Sequence, residues 1–250
     1  MKPISINLTV PASWAELSDK QLRYVFSLFA EEFNADEIKS LALLRFSGCK
    51  VIARHDGRSF LLKHGKQFFT VSALTLAEVL PLLGWLDELP PQPVRLVKIR
   101  RHRALAADFQ GVPFEVFIVV ENLFQGYLST NNEELLVDLA KVLYPGLSGT
   151  LTATERVSVF YWVAALKQML ARRFADFFQP LAQDNNLLGS SPNIASQLQE
   201  SVDAEIRALT KGDITKEREI LSLDTWRALT ELNAQAKEFK QLNAQIHATK

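Results

Sequence analysis

The chain has 250 residues, of which 48% are hydrophobic and 10% aromatic, a composition that supports a packed core and excludes intrinsic disorder. Its 28 basic and 28 acidic residues give a formal net charge of zero, so no global field attracts nucleic acid or anionic membranes. No segment has the length of a membrane span and no signal peptide begins the chain, which predicts a soluble, cytosolic protein without membrane contact. One cysteine, Cys49, excludes an internal disulfide.

The first ninety residues are predicted to combine short strands with two helices. Alternating apolar residues predict a strand at Ile4–Val10. Helical spacing then predicts a helix from Ser18–Asp19 to about Asn34, and Asn34 caps a second helix that Gly48 ends. Three β-rich segments with hairpin turns between them follow at Cys49–Arg54, Ser59–Lys63 and Lys66–Ser72.

Helices predominate in the middle of the chain. Pro90–Pro93 is a stiff connector, and Val94–Arg100 is predicted as one more strand. Helices are predicted at Thr75–Leu80, Pro113–Leu123, Asn132–Tyr144, Thr154–Phe178 and Ile194–Lys211. The helix at Thr154–Phe178 has apolar residues on more than one face, which indicates a central buried helix. Gln183–Asn193 is polar and linker-like.

A long C-terminal helix is predicted from Thr215 to His247, because this stretch has neither Gly nor Pro and follows a break at Gly212–Asp213. Steps of three and four residues give it a seam: Leu229, Leu232, Ala236, Phe239, Asn243 and Ile246. Such a seam needs another surface to cover it, and Asn243 is typical of a register-setting position between paired helices. Trp226 beside the seam is a candidate interface anchor, with packing against the body of the protein as the alternative.

These elements predict an α+β fold that is predominantly α-helical, with a small N-terminal antiparallel sheet among helices, a helical middle and a long C-terminal helix. Three domains are expected. Residues 1–90 form an α+β subdomain with hairpins, residues 91–182 a helical subdomain, and residues 183–250 a linker with a helical arm.

No catalytic, metal-binding or cofactor-binding motif occurs in the sequence. It has neither a phosphate-binding glycine loop nor a serine nucleophile elbow, and its four scattered histidines and one cysteine lack metal-ligand spacing. The carboxylate pairs Asp36–Glu37 and Glu133–Glu134 each open a predicted helix, so capping explains them better than acid–base catalysis. We therefore predict a non-enzymatic protein without cofactor or small-molecule ligand. An enzyme site assembled from residues distant in sequence is the open alternative.

The basic run Lys98–Arg103 supports a second alternative, a nucleic-acid-associated protein. Its cations are Lys98, Arg100, Arg101 and Arg103, which could grip phosphates. Arg54 and Arg58 in the preceding hairpin would extend the patch. No aromatic residue lies within the run, however, so a solvated strand end or a protein-binding patch is the favoured interpretation.

Six stretches of packing and capping residues, spread over the chain, carry a family resemblance. They are Val10–Leu22, Gly84–Leu86, Glu121–Leu128, Val159–Val163, Ile206–Lys216 and Asp224–Asn233. Together they resemble uncharacterised proteins encoded in phages and prophages of Bacteroidota, whose genes tend to lie among virion structural genes. The resemblance implies a role in tail or head–tail assembly, as a chaperone or connector, in the host cytoplasm or the virion. It implies a protein partner, either a second copy or a tail component, and no catalytic residue.

Overall fold

The computed structural model describes residues 10–55, 58–182, 206–207, 209–210 and 213–248. Helices account for most of them, which confirms the α+β, predominantly helical fold class. Four predicted features lie wholly or almost wholly outside the described residues. They are the strand Ile4–Val10, the turn at Asp56–Gly57, the linker Gln183–Asn193 and the helix Ile194–Lys211.

The chain forms two compact units. Unit 1 comprises the described residues up to Pro90 together with Thr152–Ser158. Unit 2 comprises Pro91–Leu151 and the described residues from Val159 onward. The division into domains 1–90, 91–182 and 183–250 stays a prediction.

Unit 1 starts with helices whose ends follow the capping residues of the sequence. Its helices are α1 (Asp19–Phe29), α2 (Ala35–Phe46) and α3 (Ala73–Val79), with 3-10 segments at Trp14–Glu16 and Leu80–Asp87. Ser18 and Asn34 each complete a capping box with the residue three positions later, which satisfies free N–H groups of the first turn. Gly48 follows α2 with a φ of 70°, a conformation that favours glycine. The predicted starts of both helices are confirmed.

The three predicted strands form one antiparallel sheet in the order β1-β2-β3. They are β1 (Cys49–His55), β2 (Ser59–His64) and β3 (Gln67–Ser72). Lys63 in the central strand pairs with Lys50 on one side and with Phe68 on the other. Strand β1 is an edge strand, and its register shifts between Val51 and Ala53, as at a β-bulge.

Trp14 is at the centre of the unit 1 core, and only 4% of its surface is exposed. Its indole N–H donates to the carbonyl oxygens of Trp85, at 3.0 Å, and Glu88, at 3.2 Å. The ring stacks on Phe26 and meets Trp85 edge-on, with ring centroids 6.3 and 5.3 Å away. This side chain therefore ties the segment before α1 to the segment after α3.

Unit 2 is mainly helical. Its elements are β4 (Lys98–Ile99), β5 (His102–Arg103), α4 (Phe114–Thr130), α5 (Glu134–Leu143), α6 (Ala153–Arg173, which begins in unit 1), α7 (Ala175–Ala182), α8 (Glu217–Leu221) and α9 (Thr225–Ala248). The predicted strand Val94–Arg100 is wrong for most of its length. The backbone turns at Arg100, whose φ is 54°, so only a two-residue hairpin forms there.

Helix α6 is the buried helix that its apolar faces predicted. Its fully buried side chains in unit 2 include Val159, Trp162, Val163, Leu166 and Leu170. The helix ends at Arg173 instead of Phe178, and a separate helix, α7, begins at Ala175. The Asn233 side chain accepts a hydrogen bond from the N–H of Phe177 at 3.1 Å and so caps the start of α7.

The predicted uninterrupted helix from Thr215 to His247 is wrong, since the chain breaks between α8 and α9. At the break, the Leu223 carbonyl accepts a hydrogen bond from the N–H of Phe114 at 2.8 Å. The Asp224 carboxylate accepts from the N–H of Arg227 at 3.1 Å, which caps the new helix. These bonds to a distant segment and to the next turn replace the helical hydrogen bonds that would have joined α8 to α9.

Candidate functional site

The first turn of the C-terminal helix α9 is fastened to the segment that leads into α4. The backbone N–H and the hydroxyl of Thr225 both donate to the carbonyl of Val112, at 2.9 and 2.7 Å. Thr225 is fully buried. Asp224 and Pro113 form an isolated antiparallel bridge beside these bonds. The start of α9 is therefore fixed in position and in rotation.

Trp226 is half-buried and held by the body of unit 2. Its indole N–H donates to the carbonyl of Asp108 at 2.6 Å, and its ring meets that of Phe174 edge-on at 5.8 Å between centroids. Since both contacts are made within the chain, the packing alternative describes this residue better than the interface anchor.

The first seam residues of α9 are also covered by the chain itself. Leu229 is 0% exposed and Leu232 is 4% exposed. Both belong to the unit 2 core, which narrows the candidate partner surface to the part of the helix beyond Leu232.

Beyond Leu232, α9 stays attached to α7 along one side. The Lys240 ammonium donates to the carbonyl of Asp176 at 2.8 Å and lies 3.3 Å from its carboxylate. On another side, Phe239 is 65% exposed and Leu242 is 56% exposed. We call Phe239 and Leu242 the outer pair. The side chains of Asn243 and Ile246 lie outside the described residues.

Leu242 was missed by the sequence analysis. It stands three residues after Phe239, so the two share one helix face and form a helical i, i+3 apolar pair. The seam alternates steps of three and four residues from Leu229, so it passes from Phe239 to Asn243 and skips Leu242. The signal that would have found it is its spacing from Phe239 alone.

In the basic run Lys98–Arg103, some side chains make hydrogen bonds within the protein and others are exposed to solvent. The Arg100 guanidinium donates to the carbonyl oxygens of Ser148, at 2.8 Å, and Thr150, at 2.5 Å. His102 makes a 3.1 Å hydrogen bond to the Pro145 carbonyl. Lys98 also interacts with another group of the protein. Arg101 and Arg103 are exposed. Arg100 and His102 therefore hold the 145–150 loop, whereas Lys98 and Arg103 are directly paired across β4 and β5 and are exposed.

Replacing Arg100 by alanine should lower the free energy of unfolding by about 1–2 kcal/mol, because two charge-assisted hydrogen bonds are lost at an exposed site. Urea denaturation followed by circular dichroism measures the change. Arg101→Ala, at the exposed neighbouring position, is the matched control and should stay within about 0.5 kcal/mol of wild type. Equal losses for the two variants would contradict the structural role of Arg100.

The carboxylate pairs considered for acid–base chemistry lie at helix starts. The Glu37 carboxylate accepts a hydrogen bond from the N–H of Asn34 at 2.9 Å, as part of its capping box. Asp36 is in the same first turn. Glu134 is in the first turn of α5, directly after Glu133. The capping interpretation is confirmed for Glu37, and the positions of Asp36 and of Glu133–Glu134 agree with it.

The pKa shifts of the described residues have local causes. Burial raises the pKa of Tyr161 above its ordinary value, and it raises that of Tyr24 against a smaller opposing effect of Arg45. Hydrogen bonds from the hydroxyl and the N–H of Thr215 hold the pKa of Asp213 below its usual range. Burial and capping explain these shifts, so they do not by themselves point to a catalytic group.

Comparison with known protein families, curated proteins and solved structures finds no significant match to this chain. Within the part of the chain that the structure describes, no cluster of three or more His, Cys, Asp or Glu side chains could hold a metal ion. No helix among the described residues is both long enough and apolar enough to cross a bilayer.

Proposed function

We propose that this chain is a non-enzymatic assembly protein of a phage or prophage particle, in the tail or at the head–tail junction, and that it acts by pairing its C-terminal helix with that of a second copy. The resemblance of its sequence stretches to phage-encoded proteins supports the assembly role. The outer pair on α9 supports a protein contact as the mode of action.

One observation carries the proposal, namely the unequal burial of Leu232 and Phe239. Seven residues separate them, which is about two turns of an α-helix, so they lie on nearly the same face. Leu232 is 4% exposed and Phe239 is 65% exposed. The apolar stripe therefore continues beyond the surface that covers its first half.

Covering the outer pair is energetically favourable. Burial of a large apolar side chain contributes on the order of 1.5–3 kcal/mol, before the cost of ordering two molecules. Two such side chains on each of two copies contribute part of the free energy that holds a dimer together. Further apolar residues of the same stripe would add to it.

A second copy is the partner that best suits this stripe. Heptad spacing is complemented by a helix of the same spacing, and every copy of the chain supplies one. By sequence spacing, Asn243 falls at a seam position beyond Phe239. An asparagine at such a position is tolerated where it meets a polar partner, and the same asparagine of a second copy provides one.

Phe239→Glu combined with Leu242→Glu should convert the dimer into a monomer, because two charges per copy would be buried in the contact. Size-exclusion chromatography with light scattering should give about twice the chain mass of 28.2 kDa for the wild type and the single mass for the variant. Val119→Glu is the matched control, since Val119 is a 43% exposed apolar residue on α4. This variant should remain dimeric.

The proposed pairing fails if the wild-type protein is monomeric at high concentration, or if the double variant and the control have the same mass. Circular dichroism of the double variant tests its fold, which should be intact because both replaced side chains are mostly exposed. A monomeric wild type that forms a complex with a purified tail component, lost only in the double variant, would assign the outer pair to that component and overturn self-pairing.

A further inference from the structure

The three-stranded sheet of unit 1 has one face that is open. Directly paired residues of antiparallel strands point to the same face, so the register places Lys50, Lys63 and Phe68 in one row, with Ala53, Leu61 and Thr70 in the next. Lys50, Ala53, Phe68 and Thr70 are exposed. On the other face, Cys49 and Leu62 are 7% and 3% exposed. We call the side that carries Lys50, Lys63 and Phe68 the open face.

Positive charge is concentrated in the strands of this sheet and the turns between them, with Arg54 on the face opposite to Lys50 and Lys63. The segment from Cys49 to Ala77 contains five basic side chains, Lys50, Arg54, Arg58, Lys63 and Lys66, and one acidic side chain, Asp56. The whole chain has a net charge of zero, so the remaining residues carry a compensating negative charge. A local field of this kind attracts anions although the protein as a whole is neutral.

The two lysines of the open face are placed against each other. Lys50 and Lys63 are directly paired across β1 and β2, and like charges in that arrangement destabilise a sheet. A bound anion between the two side chains relieves the repulsion. The arrangement therefore fits a ligand with closely spaced negative charges.

Phe68 adds a flat apolar surface to the open face. The ring is 52% exposed, and the Lys63 ammonium lies over it in a cation–π contact, 5.2 Å from its centroid. An exposed aromatic ring next to lysines is the combination with which proteins bind single strands, since a base stacks on the ring and phosphates contact the cations. A duplex keeps its bases stacked and gives such a ring no partner.

We propose that the open face binds single-stranded nucleic acid, with phosphates at Lys50 and Lys63 and one base stacked on Phe68. This site differs from the run Lys98–Arg103 and does not depend on the outer pair of α9. The double variant of Phe239 and Leu242 should therefore bind the strand as the wild type does.

Fluorescence anisotropy of the full chain with a labelled oligothymidine of about 15 nucleotides tests the proposal, since single-strand sites span about 4–16 nucleotides. Phe68→Ala should weaken binding about tenfold, as expected for the loss of one stacked base. Lys50→Gln with Lys63→Gln should also weaken it about tenfold. The slope of log K against log salt should become shallower by about 1.4, at about 0.7 for each lost phosphate contact.

Two exposed residues of unit 1 outside the sheet provide matched controls. Phe33→Ala removes an aromatic side chain that is 41% exposed, and Lys20→Gln removes an exposed lysine of α1. Both should leave binding unchanged. Phe68→Leu keeps an apolar side chain in the sheet but has no aromatic face, so it separates a stacking loss from a folding defect, and it should bind as weakly as Phe68→Ala.

Four results would overturn the proposal. They are no binding by the wild type at low salt, equal effects of the sheet variants and their controls, binding of duplex as tight as that of the single strand, and full binding by Phe68→Leu. A preference for anionic phospholipid vesicles over the oligonucleotide would also reject it and assign the open face to a lipid surface.

Discussion

Trp162→Ala should lower the free energy of unfolding of unit 2 by about 3–5 kcal/mol, the range for removal of a large aromatic side chain from a core. Trp162 is 0% exposed, and its indole N–H donates to the Ala107 carbonyl at 2.8 Å. Phe109 and Tyr144 meet its ring edge-on, at 6.4 and 5.8 Å between centroids. Urea denaturation followed by near-ultraviolet circular dichroism measures the loss.

Trp162→Phe is the control for this prediction. It keeps an aromatic ring but leaves the Ala107 carbonyl without its donor, so we expect a smaller loss of about 1–3 kcal/mol. A loss below about 1 kcal/mol for the alanine variant would show that the site collapses around the cavity, contrary to the close packing of α6 in the core.

Trp14→Ala should have a comparable effect on unit 1, about 3–5 kcal/mol. The side chain contributes two hydrogen bonds, to the carbonyl oxygens of Trp85 and Glu88, as well as its ring contacts. Its loss disconnects the segment before α1 from the segment after α3. The measurement is again urea denaturation, with the exposed Phe33→Ala variant as a reference that should change little.

The neighbouring Trp85 permits a sharper comparison. Its indole N–H is buried and finds no hydrogen-bond partner among the described residues. Trp14→Phe removes a donor that is used, whereas Trp85→Phe removes one that is not. We therefore expect the first variant to be less stable than the second by at least about 1 kcal/mol. The reverse order would contradict the assigned hydrogen bonds of Trp14.

The elements that could be predicted from the sequence are those with local causes. The capping boxes at Ser18 and Asn34 need only residues three positions apart, and they place the starts of α1 and α2 correctly, whereas α1 ends at Phe29 and not near Asn34 as predicted. The hairpin at Gly65 needs a residue that adopts a φ of 57°, which glycine does readily. The buried character of α6 follows from apolar residues on more than one of its faces.

The features that could not be predicted depend on partners far away in sequence. The break before α9 is stabilised by Val112 and Phe114, more than one hundred positions earlier. The residues between Glu217 and Thr225 contain no helix-breaking Gly or Pro, so periodicity alone joins α8 to α9. Arg100 likewise turns toward the carbonyl oxygens of Ser148 and Thr150, a pairing that its own neighbours in sequence do not indicate.

Only part of the candidate site could be predicted from the sequence, because the burial of its residues also depends on segments far away in the chain. Leu232 and Phe239 are equivalent in the helical pattern, and only the extent of the covering surface separates a core residue from an exposed one. Phe68 belongs to an apolar run in which any residue could face inward. The register of the sheet decides that it is exposed and lies beside Lys63.

The hydrogen bonds from Thr225 to Val112 make folding of unit 2 depend on the last helix of the described chain. Helix α9 is synthesised after every other described element, yet Ala228, Leu229 and Leu232 are part of the unit 2 core. The nascent chain therefore carries an incomplete core until this helix leaves the ribosome, and contacts of such long sequence separation form slowly. A shortened chain that stops before Leu223 would leave the N–H of Phe114 without its acceptor. It would also expose the apolar surface that α9 covers. Such a chain would therefore aggregate more readily than one that had lost only a solvent-exposed helix.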